Sequence, residues 1–124
     1  MSRILVVDDD LKVLRAVAAY LRGLGHDVRT ATNGLEAIAA LNQAPADLVV
    51  TDINMPGMDG IEIIMALREA VSDTPIIAMS GGGLFDGAML LDSAEALGAD
   101  RTLEKPFDLE DLRRAVDELT AHGR

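Results

Sequence analysis

Cysteine and tryptophan are absent from this chain, and its aromatic residues are confined to Tyr20, Phe85 and Phe107. Without thiols there is no disulfide framework and no thiolate metal site, a usage that suits a reducing compartment. So few aromatic rings leave little on which to stack nucleic-acid bases. Positive charge is short too: 11 Lys and Arg against 21 Asp and Glu give a formal net charge of −10, which repels a phosphate backbone. Direct DNA or RNA binding is therefore not expected. Long apolar runs are also missing at the start. Ile4-Leu5-Val6-Val7 is cut off by Asp8, Asp9 and Asp10, too short for a secretory h-region and far too short to span a bilayer. The expectation is a cytoplasmic protein that does not insert into membranes.

What is present is aliphatic and regularly spaced. A length of 124 residues fits one domain that buries roughly two-thirds of its unfolded surface. Short β-branched runs at Ile4 to Val7, Leu48 to Thr51 and Ile76 to Met79 predict strands buried on both faces. Asp27 to Ala31 alternates apolar and polar residues and predicts an edge strand. A fifth strand is expected near Asp100 to Glu104. Between them lie segments of helical spacing, with Leu11, Leu14, Ala18 and Leu21 on one face of the first and Leu109, Leu112, Val116 and Leu119 on one face of the last. Asn33 followed by Glu36 resembles a capping box, and Asp108 is placed to cap the last helix. Strand and helix alternate five times, which predicts an α/β fold with a doubly wound parallel sheet. No repeat or linker divides the chain, so residues 1–124 are expected to form one domain with no output domain attached.

In an open parallel sheet, ligands bind beyond the carboxyl ends of the strands. The first strand delivers Asp8 and Asp9 there, the third Asp52, the fourth Ser80 and the fifth Lys105. Carboxylates gathered in one place repel, at a cost on the order of 4 kcal/mol for a pair about 4 Å apart at an effective dielectric near 20. A hard divalent cation offsets that repulsion, and magnesium takes oxygen ligands from one or two carboxylates together with water and phosphate. Lys105 adds a compact positive charge and Ser80 a hydroxyl donor. An acceptor carboxylate, a metal and two donors are the equipment of phosphoryl transfer, where positioning and charge neutralisation carry most of the catalysis.

Four segments carry a family resemblance: Ile4-Leu5-Val6-Val7-Asp8-Asp9, Thr51-Asp52-Ile53-Asn54-Met55-Pro56-Gly57-Met58-Asp59-Gly60, Met79-Ser80 and Lys105-Pro106-Phe107. Together, in this order and spacing, they resemble the receiver domains of two-component response regulators. The resemblance implies a flavodoxin-like fold with strand order 2-1-3-4-5. It implies that Asp52 accepts a phosphoryl group from a sensor histidine kinase or histidine phosphotransfer protein, with Mg2+ as cofactor. Asp9, Asp52 and the backbone carbonyl of Asn54 would bind the metal directly, and Asp8 mainly through water. Ser80 would hydrogen-bond the phosphoryl group, Lys105 would pair with it, and the Lys105-Pro106 peptide bond would be cis. Asp10 lies at the start of the helix, where its charge suits the helix dipole, and is left out of the metal site. Such a protein is not an enzyme in the ordinary sense, since it promotes only its own phosphorylation and dephosphorylation.

The sequence also departs from the family. An aromatic residue is common three places before the lysine, where this chain has Thr102; Gly81-Gly82-Gly83 follows Ser80. The aromatic half of the usual switch is missing, and loop ordering is expected to carry more of it. The leading reading is a single-domain regulator that signals to an unknown protein effector. Its docking surface would be the side bearing the fourth helix, the fifth strand and the fifth helix. The alternative is a constitutive interaction module that does not depend on phosphorylation. A phosphatase using an aspartyl-phosphate intermediate fits poorly, because Asn54 stands where that chemistry needs a second aspartate, and an FMN carrier fails because the first loop is acidic. The triglycine lacks the Lys-Ser/Thr of a P-loop. His26, His122 and the Arg113-Arg114 pair read as ordinary surface, Tyr20 as packing, Met55 and Met58 as packing or contact surface, and Met65, Met79 and Met89 as core or near-core filler.

Overall fold

The computed structural model describes residues 1–53, 60–70, 73–80 and 98–121. Five strands, β1 (Arg3–Val7), β2 (Asp27–Ala31), β3 (Leu48–Asp52), β4 (Ile76–Ser80) and β5 (Arg101–Glu104), are interleaved with helices α1 (Leu11–Gly23), α2 (Gly34–Gln43), α3 (Gly60–Ala70) and α4 (Leu109–Ala121). The expected helix between β4 and β5, the triglycine, Asn54, Met55, Met58, Met89 and His122 lie outside the described residues. All four strand pairings are parallel, and the order is β2-β1-β3-β4-β5. The doubly wound, flavodoxin-like sheet is the architecture implied above.

Because side chains alternate along a strand, the central runs serve two cores at once. Leu5, Val7, Val49, Ile76 and Ala78 pack with Ala37 and Leu41 of α2 and Ile64 and Leu67 of α3. Ile4, Val6, Leu48, Val50, Ile77 and Met79 pack with Leu14, Val17, Ala18 and Leu21 of α1 and Leu112 and Val116 of α4. A strand covered on both faces needs an apolar residue at nearly every position, which is why these strands appear as unbroken aliphatic runs. β2 lies at one edge of the sheet and buries Val28 and Ala31 only. The ladder continues one residue past two of the apolar runs. Asp52 pairs with Met79 and Ser80 with Glu104, so both polar residues belong to their strands.

The caps explain where two helices begin. Asp10 is the N-cap of α1, its carboxylate accepting from the Lys12 N–H at 2.9 Å. Asn33 caps α2 by accepting from the Glu36 N–H at 2.8 Å. Glu36 returns the contact one residue further back than a capping box prescribes, accepting from both the N–H and the hydroxyl of Thr32 at 2.7 Å. These bonds, the backbone one first, hold the Glu36 carboxyl below its ordinary value.

Several expectations need correction. Leu11 and Leu109 are not on the buried faces of their helices; they are 49% and 39% exposed. Each opens the first turn of its helix, and the buried stripes begin instead at Leu14 and Leu112. Met65 is 55% exposed, because Ile64 and Leu67 already supply the inward positions of α3. His26 is more than plain surface: its Nδ1 accepts from the Ser2 N–H at 3.1 Å, fastening the chain start to the entry of β2. Arg113 and Arg114 do lie on a solvated face, as expected, and pair there with Glu110, Asp117 and Asp111 along α4. Tyr20 packs at the margin of the α1–α4 core, and Met79 is fully buried within it.

Candidate functional site

The acids meet at the carboxyl ends of the two central strands. Asp8 and Asp9 follow β1, and Asp52 closes β3 beside it. The main chain fixes both places: the Asp8 N–H donates to the Ala31 carbonyl at 3.1 Å, and the Ile53 N–H donates to the Met79 carbonyl at 2.9 Å. Asp8 and Asp52 are buried, while Asp9 is exposed. One carboxylate oxygen from each of the three lies within 4.8 Å of the others. Next to Asp52, the buried Thr51 hydroxyl donates to the Asp52 carbonyl at 3.0 Å.

Lys105 is delivered from β5, with β3 and β4 between that strand and the one that delivers Asp8, and it lies beyond Ser80. Its N–H donates to the Ser80 carbonyl at 2.6 Å, extending the β4–β5 ladder by one bond. The following Lys105-Pro106 peptide bond is cis. The ammonium donates to Asp8 Oδ2 at 2.9 Å and lies 3.6 Å from Asp52 Oδ1, close enough for an ion pair but long for a hydrogen bond. Asp8 also accepts from the Asp10 N–H through Oδ1 at 2.9 Å. Burial works against the charge on Lys105, but the hydrogen bond to Asp8 and the charges of Asp52 and Asp8 outweigh it and hold the ammonium above its ordinary value.

Of the sequence candidates, Asp8, Asp9, Asp52 and Lys105 are brought together. Ser80 is fully buried at the end of β4, in the strand next to Asp52 and one residue beyond its ladder partner, so it is not a plain loop serine. Asn54 lies outside the described residues. The donor set fits a hard cation: it is all oxygen, carries more negative charge than one ammonium balances, and has one arm open to solvent at Asp9. Thr102 is half-buried on β5 beside an open depression of about 420 Å³ that also involves Glu104, Phe107 and Asp111. Sequence reasoning missed the guanidinium of Arg68, which ties α3 to the turns before β4 and β5. Two of its partners, Gly98 and Asp100, are 30 and 32 residues away, and no local pattern announces them.

The site and the sheet together define a class, and comparison with known proteins agrees. The response regulator receiver domain family matches residues 4–117. The chain belongs to that family, the phosphorylatable domain of two-component systems, whose members typically bind Mg2+. The transcriptional regulatory protein PrrA of Mycobacterium tuberculosis is 40% identical over 117 residues, covering 94% of this chain and 49% of that protein. TcrA of the same species is 37% identical over 122 residues, covering 98% and 47%. The chain thus spans about half the length of these curated relatives. Among solved structures, the receiver domain of the Francisella response regulator 1452 superposes with a TM-score of 0.90 at 30% identity, covering all of both chains. The chemotaxis protein CheY4 of Vibrio cholerae gives 0.86 at 31% identity, covering 96% of this chain and 98% of that one. Among the described residues, no helix is long and apolar enough to cross a membrane.

Proposed function

We propose that this receiver domain, read as one unit over residues 1–124, accepts a phosphoryl group on Asp52 from a histidine of a sensor kinase or phosphotransfer protein. The observation that carries this reading is the Lys105 ammonium set between Asp8 and Asp52, 2.9 and 3.6 Å away, with Asp9 in reach of both acids. In the transfer, an Asp52 carboxylate oxygen bonds to phosphorus and the bond from phosphorus to the donor's ring nitrogen breaks. The electron pair stays on that nitrogen, which takes a proton from solvent. Lys105 holds Asp52 in place beforehand and afterwards offers its proton to a phosphoryl oxygen. Ser80 is assigned a hydroxyl donor role toward the same group. Asp8, Asp9, Asp52 and the Asn54 carbonyl would hold Mg2+, which neutralises charge on the transferring group when bound.

A protein donor needs a surface beside the acids. An apolar groove of about 400 Å³ between α1 and the residues after β5, lined by Val13, Val17, Pro106, Phe107 and Leu109, opens next to Lys105 and supports that reading. The signal then passes by phosphorylation-dependent contact with a protein effector. A constitutive module is the second reading, favoured by Thr102 where the switch would use a ring. The two are separated by incorporation of phosphate from acetyl phosphate, read as intact mass, in the native chain and in Asp52→Asn. Magnesium-dependent labelling of the native chain alone supports the acceptor. If a cognate kinase also fails to label it, and the two proteins bind magnesium equally, the constitutive module takes its place.

A further inference from the structure

β5 carries Lys105 to the site, yet its own register is poorly specified by packing. All five residues of β4 are buried, whereas β5 reads exposed, half-buried, half-buried, exposed along Arg101 to Glu104. Only Leu103 of this strand leans on a core. Where neither face is firmly buried, hydrophobic pattern does not fix register, and a slip of one residue shifts a side chain by roughly 3.3 Å and turns it to the other face. Such a slip would take Lys105 away from both carboxylates.

Polar anchors at the two ends do the fixing. At the entry, the Asp100 N–H donates to the Ile76 carbonyl at 2.8 Å, and the Ile76 N–H returns to Asp100 Oδ2 at 2.9 Å. The same carboxylate oxygen accepts from the Arg68 guanidinium at 2.6 Å. Arg68 also donates to the Gly98 carbonyl through Nε at 2.9 Å and through a terminal nitrogen at 2.6 Å. Its other terminal nitrogen donates to the Thr74 carbonyl at 2.7 Å. One guanidinium on α3 thereby ties the turns that lead into both β4 and β5. Gly98 fits this arrangement twice over: its φ is +124°, and a Cβ there would sit 2.9 Å from Arg68 Nε. As a bare ion pair, partly exposed on both sides, Arg68–Asp100 would contribute little. Its worth lies in the planar fork that fixes several acceptors at once.

The other anchor is Lys105 itself, and it is the one that phosphoryl transfer disturbs. Its ammonium rests on the acids that take part in that chemistry, so its partners change as a phosphoryl group arrives. The entry anchor, five residues and roughly 16 Å of strand away, is untouched by those events. We infer that Arg68 and Asp100 form a positioning pair that holds β5 in register, so that Lys105 can exchange Asp8 for a phosphoryl oxygen without the strand shifting. The inference rests on the acceptor reading of Asp52 for its purpose, while the geometric claim stands apart from it.

The test is a double-mutant cycle. Initial rates of magnesium-dependent labelling from acetyl phosphate are measured for the native chain, Arg68→Ala, Lys105→Ala and the double variant, with Arg68→Lys and Asp100→Asn alongside. Amide hydrogen exchange is followed residue by residue in the same proteins. Arg68→Ala is expected to slow labelling about tenfold, as a small misplacement of a reacting group does, but less than twofold when Lys105 is already gone. Arg68→Lys should restore part of the rate, and the Lys105 amide should exchange about tenfold faster while Leu5 and Val50 are unchanged. An equal loss in both backgrounds would make Arg68 a general structural stitch and overturn the inference. So would an unaltered Lys105 amide. If the native chain labels neither from acetyl phosphate nor from a cognate kinase, the acceptor reading is what fails, and exchange at Lys105 alone decides the positioning role.

Discussion

Lys105 donates to Asp8 across 97 residues of chain, at 2.9 Å, and this contact closes the site. Asp8 follows β1 and Lys105 follows β5, with β3 and β4 lying between those strands in the sheet. The ammonium therefore reaches over the edge of the sheet, past Asp52, to the more deeply buried acid. It sits nearer Asp8 than Asp52, so the proposed acceptor has the looser hold. Charge also remains unbalanced, since three clustered carboxylates face one ammonium. The arrangement holds Asp52 in position while leaving negative charge for a cation to neutralise.

Replacing Lys105 with Met should cost about 3 kcal/mol of unfolding free energy at pH 8 in EDTA, the usual scale for stranding a buried charge. The cost has a pH window. The folded-state Lys105 titrates above its ordinary value of 10.5, so its contribution is fully present below pH 10.5 and is lost as pH rises through the folded value. The difference between native and variant in urea unfolding should thus be flat from pH 8 to 10 and shrink above that. Lys12, the other lysine of the chain, is present in both proteins and cancels. A difference that stays flat through pH 11.5 would mean packing of the lysine stem, not its charge, is what stabilises.

Asp52→Asn should stabilise the metal-free protein by about 1 kcal/mol while abolishing labelling, the trade-off expected where function demands clustered like charge. Removing one carboxylate leaves Lys105 to serve Asp8 alone. The check is urea unfolding of both proteins in EDTA at pH 7. A destabilised variant would show that the Lys105–Asp52 attraction outweighs the repulsion among the acids, reversing the electrostatic argument.

Much of this architecture was legible because it is written in local patterns. Aliphatic runs such as Ile76 to Met79 announce strands covered on both faces, and each polar residue that ends such a run is delivered to the ligand edge of a parallel sheet. Asp8, Asp9, Asp52, Ser80 and Lys105 could be placed there before any coordinates. Helix faces were readable in their middles but not at their starts. Leu11 and Leu109 obey helical periodicity, yet their turns open at the margin of the cores, and exposure depends on where the sheet stops. Glu36 shows the same limit at a finer scale: its sequence spacing to Asn33 is right, but its carboxylate turns to Thr32 instead. Arg68, Arg29 and His26 were illegible because, the Arg68–Asp100 contact aside, they bind main-chain groups, and any residue supplies those. Only the assembled fold says which carbonyl or N–H comes within reach.

Arg29 illustrates a contact of that kind that should matter to stability alone. Its guanidinium donates to the carbonyls of Ala40 and Ala44 at 2.8 Å and of Pro45 at 3.2 Å, covering the C-terminal end of α2 from the neighbouring strand. The Ala40 carbonyl already accepts from the Ala44 N–H, so Arg29 adds a second donor there and binds the two carbonyls that follow the helix, where a cation also suits the helix dipole. Arg29→Ala should lower the unfolding free energy by about 1 to 2 kcal/mol. Labelling of Asp52 should be unchanged, since none of these groups belongs to the acid cluster. Equal urea midpoints for the two proteins would mean that water replaces the guanidinium without loss.

Asp9 offers the cleanest separation of metal binding from folding. It is exposed, unlike Asp8 and Asp52, yet one of its oxygens lies within 4.8 Å of theirs. A surface carboxylate exchanged for its amide usually shifts stability by no more than about 0.5 kcal/mol, so Asp9→Asn should unfold in EDTA almost as the native chain does. Magnesium should then divide them. At a concentration 100 times its dissociation constant a ligand adds about 2.7 kcal/mol to the state that binds it, and the native chain should gain that amount. Asp9→Asn, short of one ligand, should gain well under half as much at the same concentration. Equal magnesium-induced shifts would remove Asp9 from the metal site and leave the ion, if bound at all, to Asp8 and Asp52.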